Sequence, residues 1–272
     1  MIAPNEDIEI RLLLDAIYHR FHYDFRSYSM ASLRRRLAQA RVQLACDTTS
    51  RLQERVLHDP QAFPRLLQFL TVQVSDLFRD PSFFAMLRAE IVPELRTYPS
   101  LKVWVAGCST GEEVYSLAIT FREEGILERT TFYATDINPD ALRKAEAAVY
   151  PLERIPAFTE NHRLSGAPSS LSEHYTAAYG SAVLDRSLRK QIVFSDHSLA
   201  TDSVFAEVQV VTCRNVLIYF DKTLQERALG LTRDSLCRRG FLGLGTKETL
   251  RFSSQASSFR QLSPTEQWYQ RC

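Results

Sequence analysis

The stretch Gly107-Cys-Ser-Thr-Gly-Glu-Glu113 places small residues and two carboxylates directly after a short apolar run that begins at Leu101. Small residues allow backbone N–H groups to approach a ligand closely. A second apolar run, Thr131-Phe-Tyr-Ala-Thr-Asp136, ends in an acid that can hydrogen-bond both hydroxyls of a ribose. The loop is not Gly-x-Gly-x-x-Gly, and it lacks the Lys-Ser/Thr ending of a phosphate cradle. Carboxylates at a helix start repel a pyrophosphate and favour a ligand that carries positive charge. That chemistry suits S-adenosylmethionine, with its sulfonium and ammonium, better than NAD. The same spacing also accommodates two glycines that only ease helix packing and two glutamates that only face the helix dipole.

Other chemistries find less support. The five cysteines (Cys46, Cys108, Cys213, Cys237, Cys272) are scattered, with no Cys-x-x-Cys spacing for zinc and no even set for a disulfide framework. His19 and His22 have one-turn spacing but no acidic third ligand, so no metal is expected.

These residues need a scaffold. From about residue 6 to 90 the pattern is helical only: Ile10, Leu13, Leu14, Ile17, Tyr18 and Phe21 recur at helical spacing, as do Leu33, Leu37, Ala40 and Leu44. Further helices are predicted from Ser50 to His58 and from Gln61 to Gln73. From Leu101 apolar strands alternate with helices, the pattern of a doubly wound parallel sheet. Strands are predicted at Leu101–Gly107, Thr131–Asp136, Val208–Cys213 and Gly240–Gly245, with helices at 112–124, 139–148 and 222–238. In such sheets the ligand lies beyond the carboxyl ends of the strands. The residues there are the loop at 107–113, Asp136-Ile-Asn138, the stretch 195–199 and Cys213-Arg-Asn-Val216. Between Pro151 and Gln191 the pattern breaks into short pieces, read as an inserted antiparallel lobe.

With 272 residues, 45% hydrophobic, and 33 Lys+Arg against 32 Asp+Glu, the chain reads as folded, and its formal charge of +1 provides no global field for nucleic acid or membrane. No apolar run approaches the ~20 residues of a membrane span. The start, Met1-Ile-Ala-Pro-Asn-Glu-Asp7, is acidic where a signal peptide is basic, so a cytoplasmic location is expected.

Three ordered blocks carry a resemblance: Val103-Trp-Val-Ala-Gly-Cys-Ser-Thr-Gly-Glu-Glu-Val-Tyr-Ser-Leu-Ala118; Ala134-Thr-Asp-Ile-Asn138 with Tyr150 downstream; and Cys213-Arg-Asn-Val-Leu-Ile-Tyr-Phe-Asp-Lys222. Over nearly its whole length the chain resembles the chemotaxis-receptor glutamate O-methyltransferases, the CheR family. The resemblance implies an α/β fold: a Rossmann-like S-adenosylmethionine-dependent methyltransferase domain at 89–272, a small all-helical N-terminal domain at 1–88, and a small inserted antiparallel β-subdomain at about 155–193. It places Glu113 and Asp136 on the cofactor, with Asp136 on the ribose, and Ser198, Leu199, Asn215 and Val216 on the adenosine. Arg79 then faces the methionine part; Tyr219, just past the Val208–Cys213 strand, is read either as a core aromatic or as the active-site wall near the transferring methyl. The stretch Thr71-Val-Gln-Val-Ser-Asp-Leu-Phe-Arg79 departs from the family's Thr-Thr-Asn-x-Thr-x-Phe-Phe-Arg, with Gln73 for Asn, Ser75 for Thr and Leu77 for Phe; Gln73 keeps an amide and Ser75 a hydroxyl, and both are candidate cofactor-binding residues. Val114 replaces a usual Pro at the helix start.

The implied reaction methylates glutamate side chains on the cytoplasmic helical rod of a chemoreceptor, leaving S-adenosylhomocysteine. Carboxylates are ionised near pH 7, so no general base is required, and Arg79 and Tyr219 become the candidate catalytic residues. Between Arg26 and Arg55 seven arginines face two acids, Asp47 and Glu54, a local charge of +5. Such a run is commonly a solvated face, but the resemblance implies receptor recognition by Arg34, Arg35, Arg36 and Arg41. A monomer is expected, with no nucleic acid partner and no membrane insertion. The rival readings are a methyltransferase acting on nucleic acid or a small molecule, and a catalytically silent receptor adaptor. Against the first, the Asn/Asp-Pro-Pro-Tyr/Phe signature of amino-methylating DNA enzymes is absent.

Overall fold

A computed structural model describes residues 5–272. The acidic-start reading therefore rests partly on Met1 to Pro4, outside the described residues. The chain divides into two compact units. Among the described residues one comprises 5–73 with the returning segments 199–201 and 219–228, and the other comprises 74–198, 202–218 and 229–272.

The first unit carries helices α1 (Asn5–Phe21), α2 (Met30–Gln43), α3 (Thr49–His58) and α4 (Ala62–Leu70). The apolar stripes do what their spacing predicts: Ile10, Leu13, Leu14 and Ile17 are buried on α1, and Leu33, Leu37 and Ala40 on α2. Thr48 caps α3 by accepting from the Arg51 amide, and Phe21 stacks on Phe63 of α4 at 4.0 Å. Helix α4 ends at Leu70 rather than Gln73, with Thr71 extended and its hydroxyl turned back to the Leu67 carbonyl.

The second unit begins at Val74, earlier than the expected boundary at 88. Its first helix, α5 (Pro81–Met86), stacks Phe83 on Trp268 at 4.3 Å, and the Trp268 indole donates to the Phe83 carbonyl at 3.1 Å. These bonds to the far end of the chain assign residues 74–88 to the sheet unit. A π-turn and α6 (Val92–Leu95) lead into strand β1 (Leu101–Ala106), then α7 (Glu112–Glu123), β2 (Thr130–Asp136) and α8 (Pro139–Ala147). The inserted lobe follows: β3 (Val149–Pro151), α9 (Ile155–Leu164), β4 (Tyr175–Ala178), β5 (Ser181–Leu184) and α10 (Arg186–Arg189). The chain returns through β6 (Ile192–Asp196), β7 (Val208–Cys213), α11 (Lys222–Ser235), β8 (Leu236–Leu244), β9 (Phe259–Gln261) and β10 (Trp268–Arg271).

The main sheet has the order β6-β2-β1-β7-β8-β10-β9. Strands β6, β2, β1, β7 and β8 are parallel, and β10 is antiparallel to both neighbours. Strand β1 is central, flanked by β2 and β7, so the loops after these strands leave one end of the sheet side by side. The lobe is a three-stranded antiparallel sheet, β3-β5-β4. It starts at Val149, which pairs with Val183, rather than at 155, and it ends before β6, which pairs in the main sheet from Ile192 alongside Phe132. Strands β6, β9 and β10 are absent from the sequence prediction because each is short and mixes polar with apolar residues. Among the described residues no helix is long and apolar enough to cross a membrane.

Candidate functional site

Within the sheet unit, the loop after β1 is tied to β2. The amides of Gly107 and Cys108 both donate to the Thr135 carbonyl at 2.8 Å, and the Ser109 amide donates to Asp136 Oδ2 at 2.9 Å. Asp136 Oδ1 accepts from the Asn138 amide at 2.9 Å. Burial pushes the Asp136 carboxyl up from its usual value, against the opposing pull of the Asn138, Ser109 and Ile137 amides. Each carboxylate oxygen keeps a second lone pair for a ligand hydroxyl. Gly107 has φ +74°, and a Cβ there would lie 2.5 Å from Val216 Cγ2, so only glycine lets the β1 and β7 loops meet.

Glu112 and Glu113 divide their duties. Glu112 is wholly buried, bonded to the Thr110 hydroxyl at 2.6 Å and to Arg154 at 2.9 Å, which makes it structural. Glu113 keeps a side chain 14% exposed and accepts from Arg214 at 3.1 Å. Arg214 also reaches Asp80 and the Arg79 carbonyl, each at 2.9 Å, and lies over the Phe83 ring at 4.0 Å. Arg79 stands between two residues in left-handed conformation, Phe78 at φ 54° and Asp80 at φ 57°, a strained arrangement held by the Ser116 hydroxyl at 2.7 Å from the Phe78 amide. The Arg79 guanidinium has no hydrogen-bond or ion-pair partner among the described residues. Beyond β7, Glu248 accepts from the amides of Gly245 (2.7 Å), Asn215 (2.8 Å) and Ile218 (3.3 Å), which fixes the loop that carries Asn215 and Val216. The Ser198 amide donates to Asp202 at 2.9 Å, and Ser75 offers its carbonyl to Arg154.

Burial first, then the nearby Asp136 and Glu113, raises the Cys108 thiol well above its usual value, so both carboxylates border the same loop. Cys213 is raised well above its usual value by burial, then Glu248 and Glu113. Both thiols are therefore held in the protonated form near neutral pH. The loops after β1, β2, β6 and β7 carry Glu113, Asp136, Ser198, Asn215 and Val216 at the carboxyl ends of the strands, and Arg79, just before α5, is joined to Glu113 through Arg214. Arg214, Glu248 and Arg154 are the residues that sequence reasoning missed, although Arg214 stands inside a quoted block. The fit to S-adenosylmethionine rests on the glycine cradle at Gly107, the exposed edge of Glu113, and the buried Ser109 hydroxyl, which has no partner.

Residues 73–267 match the family model described as CheR methyltransferase, SAM binding domain, and residues 8–71 match CheR methyltransferase, all-alpha domain. The chain belongs to the CheR methyltransferase family. Cher3 of Pseudomonas putida is 59% identical over 258 residues, 95% of this chain and 94% of that one. A chemotaxis protein methyltransferase of Listeria innocua is 28% identical over 229 residues, 84% of each chain. Another, of Salmonella typhimurium, is 29% identical over 210 residues, 74% of this chain and 65% of that one. The chain is accordingly an S-adenosylmethionine-dependent methyltransferase.

The helical unit of this CheR chain holds Gln73, Leu199, Tyr219 and the four arginines. Gln73 bonds Gln68 at 2.7 Å, and Leu199 is buried. Arg34 pairs with Asp7 at 2.6 Å, Arg41 bonds the Asp47 carbonyl, and Arg35 is exposed with no partner among the described residues. Arg36 corrects the expectation of a four-arginine surface: it is only 4% exposed, bonds the Leu70 carbonyl, and stacks on the Tyr219 ring at 4.2 Å. The reason is helical phase, since Arg36 falls within the buried stripe of Leu33, Leu37 and Ala40. Its Nε and Nη2 have no hydrogen-bond partner. Two unmet buried donors cost about 1–3 kcal/mol each, more than the roughly 2 kcal/mol of a desolvated cation–π stack returns.

One buried group among the described residues could offer metal-ligand atoms: Glu123, His162 and His174, within 4.8 Å of one another. The His162 and His174 Nε2 atoms lie 2.9 and 3.3 Å from Glu123 Oε1, Ser169 donates to the same oxygen, and Arg88 bonds the other. An ionised carboxylate only accepts, so both imidazoles present N–H to it, and Arg88 already offsets the charge. The cluster is a hydrogen-bonded strut. Burial alone would raise the Glu123 carboxyl, but bonds from His162, His174, Ser169 and Arg88 outweigh it and hold the carboxyl far below its usual range. With the folded pKa below the unfolded one, the stabilisation is fully present above about pH 4.5 and is lost as pH falls below that. Chemical denaturation between pH 7 and 3 should show stability falling on the acid side, with a shallower fall in Glu123→Gln.

Proposed function

We propose that this chain methylates glutamate side chains on the cytoplasmic helical rod of a methyl-accepting chemoreceptor, forming γ-methyl esters during signal adaptation. The observation that carries the reading is Arg79, whose guanidinium has no partner among the described residues and whose backbone carbonyl accepts from Arg214, the residue that also bonds Glu113. It supplies a positive charge that can orient an incoming carboxylate. Bound S-adenosylmethionine supplies the electrophilic methyl, whose bond to sulfur breaks as the carboxylate oxygen bonds carbon, so the electron pair stays on sulfur as S-adenosylhomocysteine. No proton moves, which agrees with protonated Cys108 and Cys213 thiols that offer no base. The chain's part is alignment: Asp136 on the ribose, Glu113 on the cationic end, and Asn215, Val216 and Ser198 on the adenosine. Gln73 and Ser75 stand on the segment leading to Arg79.

The receptor side is read by exposed Arg35 and by Arg34 and Arg41 at the edge of α2, a basic face suited to acidic helices. The test is incubation with methyl-labelled cofactor and the purified cytoplasmic domains of the source organism's chemoreceptors. Base-labile label on receptor glutamates is expected, whereas label on nucleic acid, or none, overturns the reading. Arg35→Glu is expected to lower receptor labelling about tenfold, or about 1.4 kcal/mol, with cofactor affinity unchanged in calorimetry.

A further inference from the structure

We propose that Arg154 is a positioning residue for the methionine end of the cofactor, holding the segment that carries Arg79 against the start of α7. It rests on the reading above, in which Arg79 and Glu113 meet the charged end of S-adenosylmethionine. Residues 75–80 belong to no helix or strand, yet each is tied to the sheet unit by a bond of its own. The Ser75 carbonyl and Asp76 Oδ1 accept from Arg154, the latter at 3.1 Å, and the Leu77 carbonyl accepts from Asn161 at 3.2 Å. The Phe78 amide donates to the Ser116 hydroxyl at 2.7 Å, and the Arg79 carbonyl and Asp80 accept from Arg214. Two of these donors, Arg154 and Asn161, come from the inserted lobe. The lobe also touches the loop after β1, where the Tyr150 hydroxyl donates to the Thr110 carbonyl at 2.9 Å.

Arg154 divides its fork between two elements. Its Nη1 donates to Oε1 of the wholly buried Glu112 at 2.9 Å, one residue before Glu113, while its Nη2 serves Ser75 and Asp76. The guanidinium lies over the Phe158 ring at 4.6 Å, which fixes its plane. On the segment's side the Arg79 amide donates to the Asp76 carbonyl at 3.3 Å, so the residue that Arg154 grips begins the turn on which Arg79 stands. With no ladder of its own, the segment keeps its place only through such ties, and a loosened one must be ordered when ligand binds. A cation present merely to neutralise Glu112 could be a lysine. An ammonium has a single nitrogen and cannot reach α7 and the segment in the same fixed plane.

The test is calorimetry of the whole chain with two ligands: S-adenosylhomocysteine, and 5′-methylthioadenosine, which keeps adenine, ribose and sulfur but lacks the amino-acid part. A positioning role weakens S-adenosylhomocysteine about tenfold in Arg154→Met and methylthioadenosine less than about twofold, because only the first ligand reaches the Arg79 segment. Arg154→Lys still loses about threefold or more on S-adenosylhomocysteine alone. Arg79→Met serves as the reference: it shows the same selective loss, and in its background Arg154→Met adds less than about twofold, since the group being positioned is gone. Equal weakening of both ligands, no change in either, full recovery by lysine, or an undiminished effect in the Arg79→Met background overturns the proposal while leaving the methylating reading intact. An Arg79→Met variant with no selective loss overturns the placement of Arg79 and the proposal together. If Arg154→Met fails to fold, Arg154→Lys completes the same cycle.

Discussion

Asp136→Ala is expected to weaken S-adenosylmethionine binding by about a hundredfold or more, through two losses at one carboxylate. The first is the ligand contact: a charge-assisted hydrogen bond to the ribose contributes about 1.5–3 kcal/mol. The second is internal, because Asp136 accepts from the Ser109 and Asn138 amides and so holds the loop after β1 and the turn into α8 in one arrangement. An alanine leaves both amides to find water, and the loop must be ordered at the ligand's expense. Asp136→Asn is expected to do almost as badly, since its NH2 end would face one of the two donating amides. Calorimetry decides the matter: a loss under threefold in both variants would mean that the carboxylate touches no ligand.

Arg214→Met should be the most destabilising single change near the site. Arg214 is 1% exposed at its side chain and meets Glu113, Asp80 and the Arg79 carbonyl at once. Removing it leaves two carboxylates without their cation, and breaking a buried pair in this way costs about 3–5 kcal/mol. For a chain of this size that corresponds to a fall in Tm of about 6–20 °C. Cofactor binding should fall with it, since Glu113 loses its anchor and the backbone at Arg79 loses its bond. Arg214→Lys is expected to recover only part of either quantity, because an ammonium cannot reproduce the guanidinium's fork or lie flat on Phe83. Thermal denaturation and calorimetry of both variants test this, and a Tm within 2–3 °C of wild type for Arg214→Met would show that the bridge contributes little.

The amino-acid order by itself determined the helical first segment, the alternation of strands and helices from Leu101, and the loops where a ligand could meet Glu113, Asp136, Asn215 and Val216. These follow from local periodicity and from the rule that parallel sheets bind at their carboxyl ends, both readable within a dozen residues. Arg36 lies three residues after Leu33 and four before Ala40, on the buried face, although its charge argued for the surface. Only the tertiary structure decided which partners meet. Arg214 reaches Glu113 across 101 residues of chain, Asp80 across 134 and the Arg79 carbonyl across 135, and Glu248 caps a loop 33 residues before it. The Glu123 strut joins α7 to two histidines in the inserted lobe. Strands β9 and β10 likewise owe their place to pairing with β8 and to Trp268 packing on Phe83 rather than to any pattern of their own. Periodicity says which face of an element is buried. Which distant side chain completes a buried charge depends on the packing of the whole unit.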